Sequence, residues 1–179
     1  DYHGAHPFWD QIVVRVVGED ATRRQLLETG EIDGVTNLPP DDVIDLRGGD
    51  QFQVVEYDTT RCDWVTMNYD LLNRDVRQGL AYAFPYDAII DGVLKGFGKR
   101  QGPIADTIVG YPPDLEQYPP DLERAQELLE AGEWSPDEPI TYMIVGNDAV
   151  ERSMAELFQA ALGEIGYTLE IQSVDRSTI

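Results

Sequence analysis

Few residues in this chain of 179 carry chemistry of their own. His3 and His6 stand three apart, a spacing that places both on one face of a helix and suits a metal. Gly4 and Pro7 break such a helix, so the pair reads as part of a solvated loop. The lone cysteine, Cys62, excludes an intramolecular disulfide and a cysteine-built metal centre, and leaves the redox compartment open. Ser135, Ser153, Ser173 and Ser177 have no histidine near them in sequence, and no nucleophile elbow surrounds any of them. Gly96-Phe97-Gly98 follows a helical stretch and lacks the third glycine of a phosphate-binding turn. The 34 carboxylates offer many acid–base pairs, yet nothing singles one out. Asp41 and Asp42 follow Pro39 and Pro40, and are better explained by the positive first turn of a helix. The residues therefore read as a soluble acidic α/β lobe without an enzyme signature, and no catalytic role, cofactor or metal is expected of it.

Charge narrows the class further. Twenty Asp and 14 Glu face 11 Arg and only two Lys, Lys95 and Lys99, for a net charge of −21. Such a surface repels phosphate backbones, so no nucleic-acid partner is expected. It also repels itself, a cost that fades at molar salt, where the Debye length is ~3 Å. Excess Asp with scarce Lys points to a halophilic setting; the alternative is an ordinary acidic surface that aids solubility. No run approaches the ~18 consecutive apolar residues of a membrane span. The first residue is Asp1, no targeting segment is visible, and both ends read as cut from a longer protein.

The elements that would position a site alternate between two periods. Ile12–Val17, Glu31–Thr36, Phe52–Tyr57 and Arg61–Asn68 read as strands. Ala21–Thr29 reads as a helix stopped by Gly30, and Pro39–Asp42 opens a short helix ended by Gly48 and Gly49. Asp75–Phe84 and Tyr86–Leu94 are helical stretches interrupted by Pro85. A long glycine- and proline-rich loop runs from Gly96 to Pro120. Then come a helix over Asp121–Ala131 with Asp121 as cap and Gly132 as stop, a strand over Ile140–Val145, a longer helix over Val150–Ile165 and a last strand over Tyr167–Val174. Met154, Leu157, Phe158, Ala161, Leu162 and Ile165 form the inward face of the longer helix. The mixture predicts a single α/β lobe over residues 1–179, with a mixed β-sheet flanked by helices.

Several strings together resemble one family, the extracytoplasmic solute-binding proteins of peptide, dipeptide and nickel ABC importers (family 5). The opening DYHGAHPFWDQIVVRVVGEDATRRQLLETGEIDGV is similar to the family's strand–helix stretch and ends on the step Thr29-Gly30-Glu31-Ile32-Asp33. NLPPDDV at 37–43 resembles the helix that follows. VTMN at 65–68 and DVRQGLAYAFPYDAIIDGVLKGFG at 75–98 are the most specific segment. GYPPDLEQYPPDLERAQELLEAG at 110–132 and the terminal IGYTLEIQSVD also match. Pro85 and Tyr86 stand where the family usually has an acidic–arginine pair, the Asn68–Asp75 link lacks the usual Pro-Pro-Phe, and the family's surface lysines are mostly gone.

The resemblance implies that this α/β lobe, a mixed β-sheet flanked by helices, is of the class II periplasmic-binding-protein-like kind, peptide-binding subgroup. Residues 1–179 would be part of the larger C-terminal lobe, lobe I of the same parent chain being absent. Peptides would be captured outside the membrane, by a periplasmic or lipid-anchored cell-surface parent, and delivered to the permease subunits of the importer. A nickel-chelate or oligosaccharide binder of the same family, or a fragment of an acidic α/β enzyme, are the alternatives. The family's anchor for a peptide amino group lies beyond the point matching Ile179, so this lobe alone is expected to bind weakly or not at all. Four residues are the ligand-binding candidates. Trp64 matches a place where the family presents an aromatic to the cleft, or else is a core or edge tryptophan. Lys95 either favours the negative end of its helix or lies near ligand. Asp148 is a helix N-cap or a polar cleft residue. Arg176 is solvated or clasps a carboxylate. Arg61 and Asp63, beside Trp64, are weaker candidates.

Overall fold

The computed structural model describes Gly4 and residues 8–112, 114–115, 117–146 and 148–178; His3 and His6 lie outside the described residues. The chain divides into two compact units, Asp1–Phe52 and Gln53–Ile179.

The first unit holds two helices, α1 (Asp20–Glu28) and α2 (Pro40–Arg47). Gly30, at φ 74°, ends α1: its N–H donates to Leu27 O and the Glu31 N–H to Leu26 O, the paired closure that a left-handed glycine permits. Arginines tie the unit together. Arg24 donates to Glu28 Oε1 at 2.8 Å within α1, and to Asp42 and Asp45 of α2. Arg23 donates to the carbonyls of Val17, Gly18 and Asn37, at 2.9, 3.0 and 2.7 Å. Leu26 and Leu46 are the buried apolar residues described here.

The strands expected over 12–17, 31–36, 52–57 and 61–68 are absent as strands. Pairing, not side-chain type, explains this outcome. β-branched residues favour extended backbone, but a strand exists only through the hydrogen bonds of a neighbour. None of these segments has a strand neighbour among the described residues. Ile12, Val13, Val14 and Val16 are 73–94% exposed.

The second unit is built on α3 (Arg74–Ala83), α5 (Leu122–Ala131) and a β–α–β crossover. In the crossover, β1 (Ile140–Val145) and β2 (Leu169–Val174) pair in parallel, Ile140 opposite Leu169, and α6 (Ala149–Glu164) joins them. The sheet described is thus two-stranded and parallel, within an α/β fold. Asn73 joins α3 to α5: its side-chain oxygen accepts from Val76 N at 3.1 Å and its amide donates to Gly132 O at 2.7 Å. Gly79 lets the two helices approach, since a Cβ there would meet Ala125 O and Leu129 Cγ at 3.0 Å. Val76, Leu80, Leu129, Phe158, Leu162 and Leu169 are at the centre of the resulting core.

Pro85 interrupts the next helical stretch as expected. Phe84 takes extended backbone before it, ψ 121°, and a short helix α4 (Tyr86–Ala88) restarts after it. That helix widens into a π-turn over Ile89–Val93, with Leu94 N–H donating to Ile89 O at 2.9 Å and Gly96 N–H to Ile90 O at 2.8 Å. Lys95 and Gly96 end it at φ 52° and 83°.

Candidate functional site

Trp64 is 67% exposed, so it is not a core residue. Its indole N–H donates to Pro103 O at 3.1 Å, which fixes the ring against the start of the long loop. Thr107 Oγ1 makes a second tie across the same pair of segments, donating to Thr59 O at 3.1 Å. Ile104 and Ile108 are partly exposed beside these ties. A large aromatic surface held by a backbone bond, with aliphatic neighbours, can pack against an apolar or planar group of a ligand at little cost in side-chain entropy.

The loop itself is pinned by side chains. Lys99 Nζ meets Asp106 Oδ2 at 2.8 Å, a hydrogen bond that raises the lysine pKa above its ordinary value. Arg100 donates to Gln117 Oε1 at 3.1 Å, and its guanidinium lies over the Tyr86 ring, 5.7 Å from the ring centre. Burial raises the Tyr86 pKa, so its hydroxyl stays protonated. Gln101 Oε1 accepts from Asp106 N at 2.8 Å. Sequence reasoning does not single out the ties at Pro103 and Thr107, whose partners lie 39 and 48 residues away; Lys99 and Asp106 pair within the loop itself, where its proline-rich composition is the one signal.

Lys95 is exposed and follows the π-turn in left-handed backbone. Asp148 caps α6: one carboxylate oxygen accepts from Val150 N at 2.8 Å and Glu151 N at 3.0 Å. Glu151 in turn accepts from Val145 N at 3.2 Å, so the β1–α6 turn is closed by two carboxylates. Arg176 lies in a short 3-10 turn, Arg176–Thr178, after β2. Trp64 and Asp148 thus have separate local partners, one on the long loop and one in the first turn of α6. Arg61 and Asp63 form an exposed ion pair with each other at 3.1 Å. Among the described residues no group of three or more His, Cys, Asp or Glu is arranged to hold a metal, and no helix is long and apolar enough to cross a membrane.

The fold is of the class II periplasmic-binding-protein-like kind. The chain belongs to the bacterial extracellular solute-binding proteins, family 5, whose middle segment it matches over residues 1–179. It is 27% identical over 186 residues to the probable D,D-dipeptide-binding periplasmic protein DdpA of Escherichia coli (strain K12), covering 99% of this chain and 35% of that protein. It is 30% identical over 165 residues to the heme-binding protein A of Haemophilus influenzae, covering 88% and 30%. The solved periplasmic binding protein DppA from Helicobacter pylori, in complex with peptide STSA, superposes with a TM-score of 0.84 at 26% identity, covering 99% of this chain and 35% of that one. The chain spans about a third of the length of the curated relatives it matches.

Proposed function

We infer that residues 1–179 are part of the larger C-terminal lobe of a two-lobed binding protein of an ABC importer. The parent protein captures di- or oligopeptides outside the membrane and delivers them to the permease subunits, with no catalytic step. The observation that carries this reading is the family match over residues 1–179, supported by the likeness to a binding protein solved with a peptide. In this reading Trp64 presents its ring to the ligand. Lys95 supplies a cation, Asp148 its second carboxylate oxygen, and Arg176 a guanidinium for a peptide carboxylate. Bridging water lets such a site accept varied side chains. Hinge closure of the two lobes then marks the loaded form.

The test is ligand-induced thermal stabilisation of the full-length parent protein. Di- and oligopeptides are expected to raise its Tm, while sugars, nickel chelates and heme leave it unchanged. Trp64→Ala is expected to weaken peptide binding at least tenfold without lowering the ligand-free Tm, because the ring is exposed and outside the core. Stabilisation by heme or a nickel chelate, and not by peptides, would replace the peptide reading.

A further inference from the structure

Two runs of the second unit, 59–64 and 99–107, pass each other in opposite directions: Thr59 is tied to Thr107 at one end and Trp64 to Pro103 at the other. Neither run is a strand, so side chains rather than a backbone ladder join them. Each run is also closed on itself. In the first, the Thr59 hydroxyl accepts from Arg61 N at 3.3 Å and makes the bend where the run starts. In the second, Asp106 Oδ2 accepts from Lys99 Nζ and Asp106 N donates to Gln101 Oε1, both at 2.8 Å, and the neighbouring Ala105 is fully buried. A loop closed and anchored in this way has given up its conformational freedom before any ligand arrives. The indole N–H of Trp64 is spent on Pro103 O, so the ring offers a ligand its face and no donor.

We propose that Thr107 is a positioning residue for peptide binding: its hydroxyl, donated to Thr59 O, fixes the run that carries Trp64 and so holds the indole face toward the peptide. The assignment rests on the functional reading above, in which the Trp64 ring touches the peptide. One hydrogen bond is a pivot. With the bond to Pro103 alone, the ring and the run before it can swing about that carbonyl. The second tie, at the far end of the run, removes the rotation. It does so without fastening the core: Thr59, Trp64, Pro103 and Thr107 are all exposed, so breaking one bond among them costs the fold little. A ring that must be ordered again when peptide arrives costs affinity instead. The hydroxyl proton of Thr107 is already committed to Thr59 O, which leaves Thr107 no side-chain donor for the peptide itself.

The experiment uses the full-length parent protein. The probe is the peptide, from a panel of alanine and phenylalanine di- to pentapeptides, that raises the wild-type Tm most. Its affinity is measured by titration calorimetry, beside the ligand-free Tm and the fluorine NMR line of fluorotryptophan at Trp64, assigned by its loss in Trp64→Phe. Thr107→Val keeps the shape of the side chain and removes the hydroxyl. It is expected to weaken binding about three- to tenfold, the cost of ordering one side chain on association. It is also expected to broaden or shift the Trp64 line in the ligand-free protein, with the Tm unchanged. Thr107→Ser returns the hydroxyl and is expected to restore both affinity and line. In a Trp64→Ala background, Thr107→Val is expected to have no further effect, because a residue that acts through the ring then has nothing to act on. A Thr107→Val protein that binds like wild type, while Trp64→Ala binds weakly, overturns the positioning role and leaves the functional reading standing. An equal loss in the Trp64→Ala background also overturns it, by placing Thr107 on the peptide itself. So does a fall in Tm with the Trp64 line unmoved, which makes the tie structural. A Trp64→Ala parent that binds peptide like wild type takes the ring out of the site and the role of Thr107 with it. A wild-type parent that binds no peptide of the panel overturns the functional reading and this assignment together.

Discussion

Asp148 shows how much one carboxylate does at the turn from β1 to α6. Its oxygen satisfies two of the four N–H groups that a helix start leaves without partners, and its negative charge sits at the positive end of α6. Asp148→Ala is expected to cost about 1 kcal/mol of stability, read as a lower urea midpoint at unchanged slope. Asp148→Asn keeps the acceptor and is expected to restore most of the loss. Asp121 plays the same part for α5, accepting from Arg124 N at 2.9 Å. Both caps were legible in the sequence because a cap acts within three residues. Trp64 was not legible to the same degree: its type marked it as a candidate, but its exposure depends on Pro103, 39 residues away.

At the scale of elements, α3 approaches α5 closely at Gly79. Gly79 faces Ala125 O and Leu129 Cγ, so any Cβ there pushes against backbone and a buried side chain. Gly79→Val is expected to destabilise by about 1–3 kcal/mol, measured by urea denaturation. Gly163→Ala, in α6 with no atom within 4 Å of the added Cβ, is expected to be neutral or stabilising, by up to about 1 kcal/mol. The helices and the β1–α6–β2 crossover follow the sequence periodicity closely. The π-turn does not: Ile89–Val93 carries a helical apolar pattern, and only the long bonds that close it, i to i−5 at Leu94 and i to i−6 at Gly96, set it apart.

For the molecule as a whole, charge is the dominant global term. With a net charge of −21, self-repulsion opposes the compact state most at low ionic strength, where the Debye length is about 30 Å at 0.01 M, and least at molar salt. The Tm is therefore expected to rise steadily from dilute buffer to 1–2 M sodium or potassium chloride. Equal stability at both ends of that range would remove the halophilic reading of the composition. The arginine ties of the first unit, Arg23 and Arg24, are partly exposed and gain little from isolated ion pairing. The bonds of Arg23 to backbone carbonyls at Val17, Gly18 and Asn37 are less sensitive to salt than the pairs with carboxylates.

Local chemistry was enough to place α1, α3, α5 and α6, their stops at Gly30 and Gly132, the break at Pro85, the strand over 140–145 and the strand read over 167–174, which begins at Leu169. These features depend on apolar period, cap residues and backbone restrictions that act within one or two turns. Pairing is different, because it requires a second segment that the first does not encode. Ile12–Val17 has the composition of a buried strand and forms none among the described residues, whereas Ile140–Val145 finds Leu169–Val174 because α6 brings the two together. The ring position of Trp64 likewise arises from a contact distant in the chain, and so it emerged only once the folded arrangement was in hand.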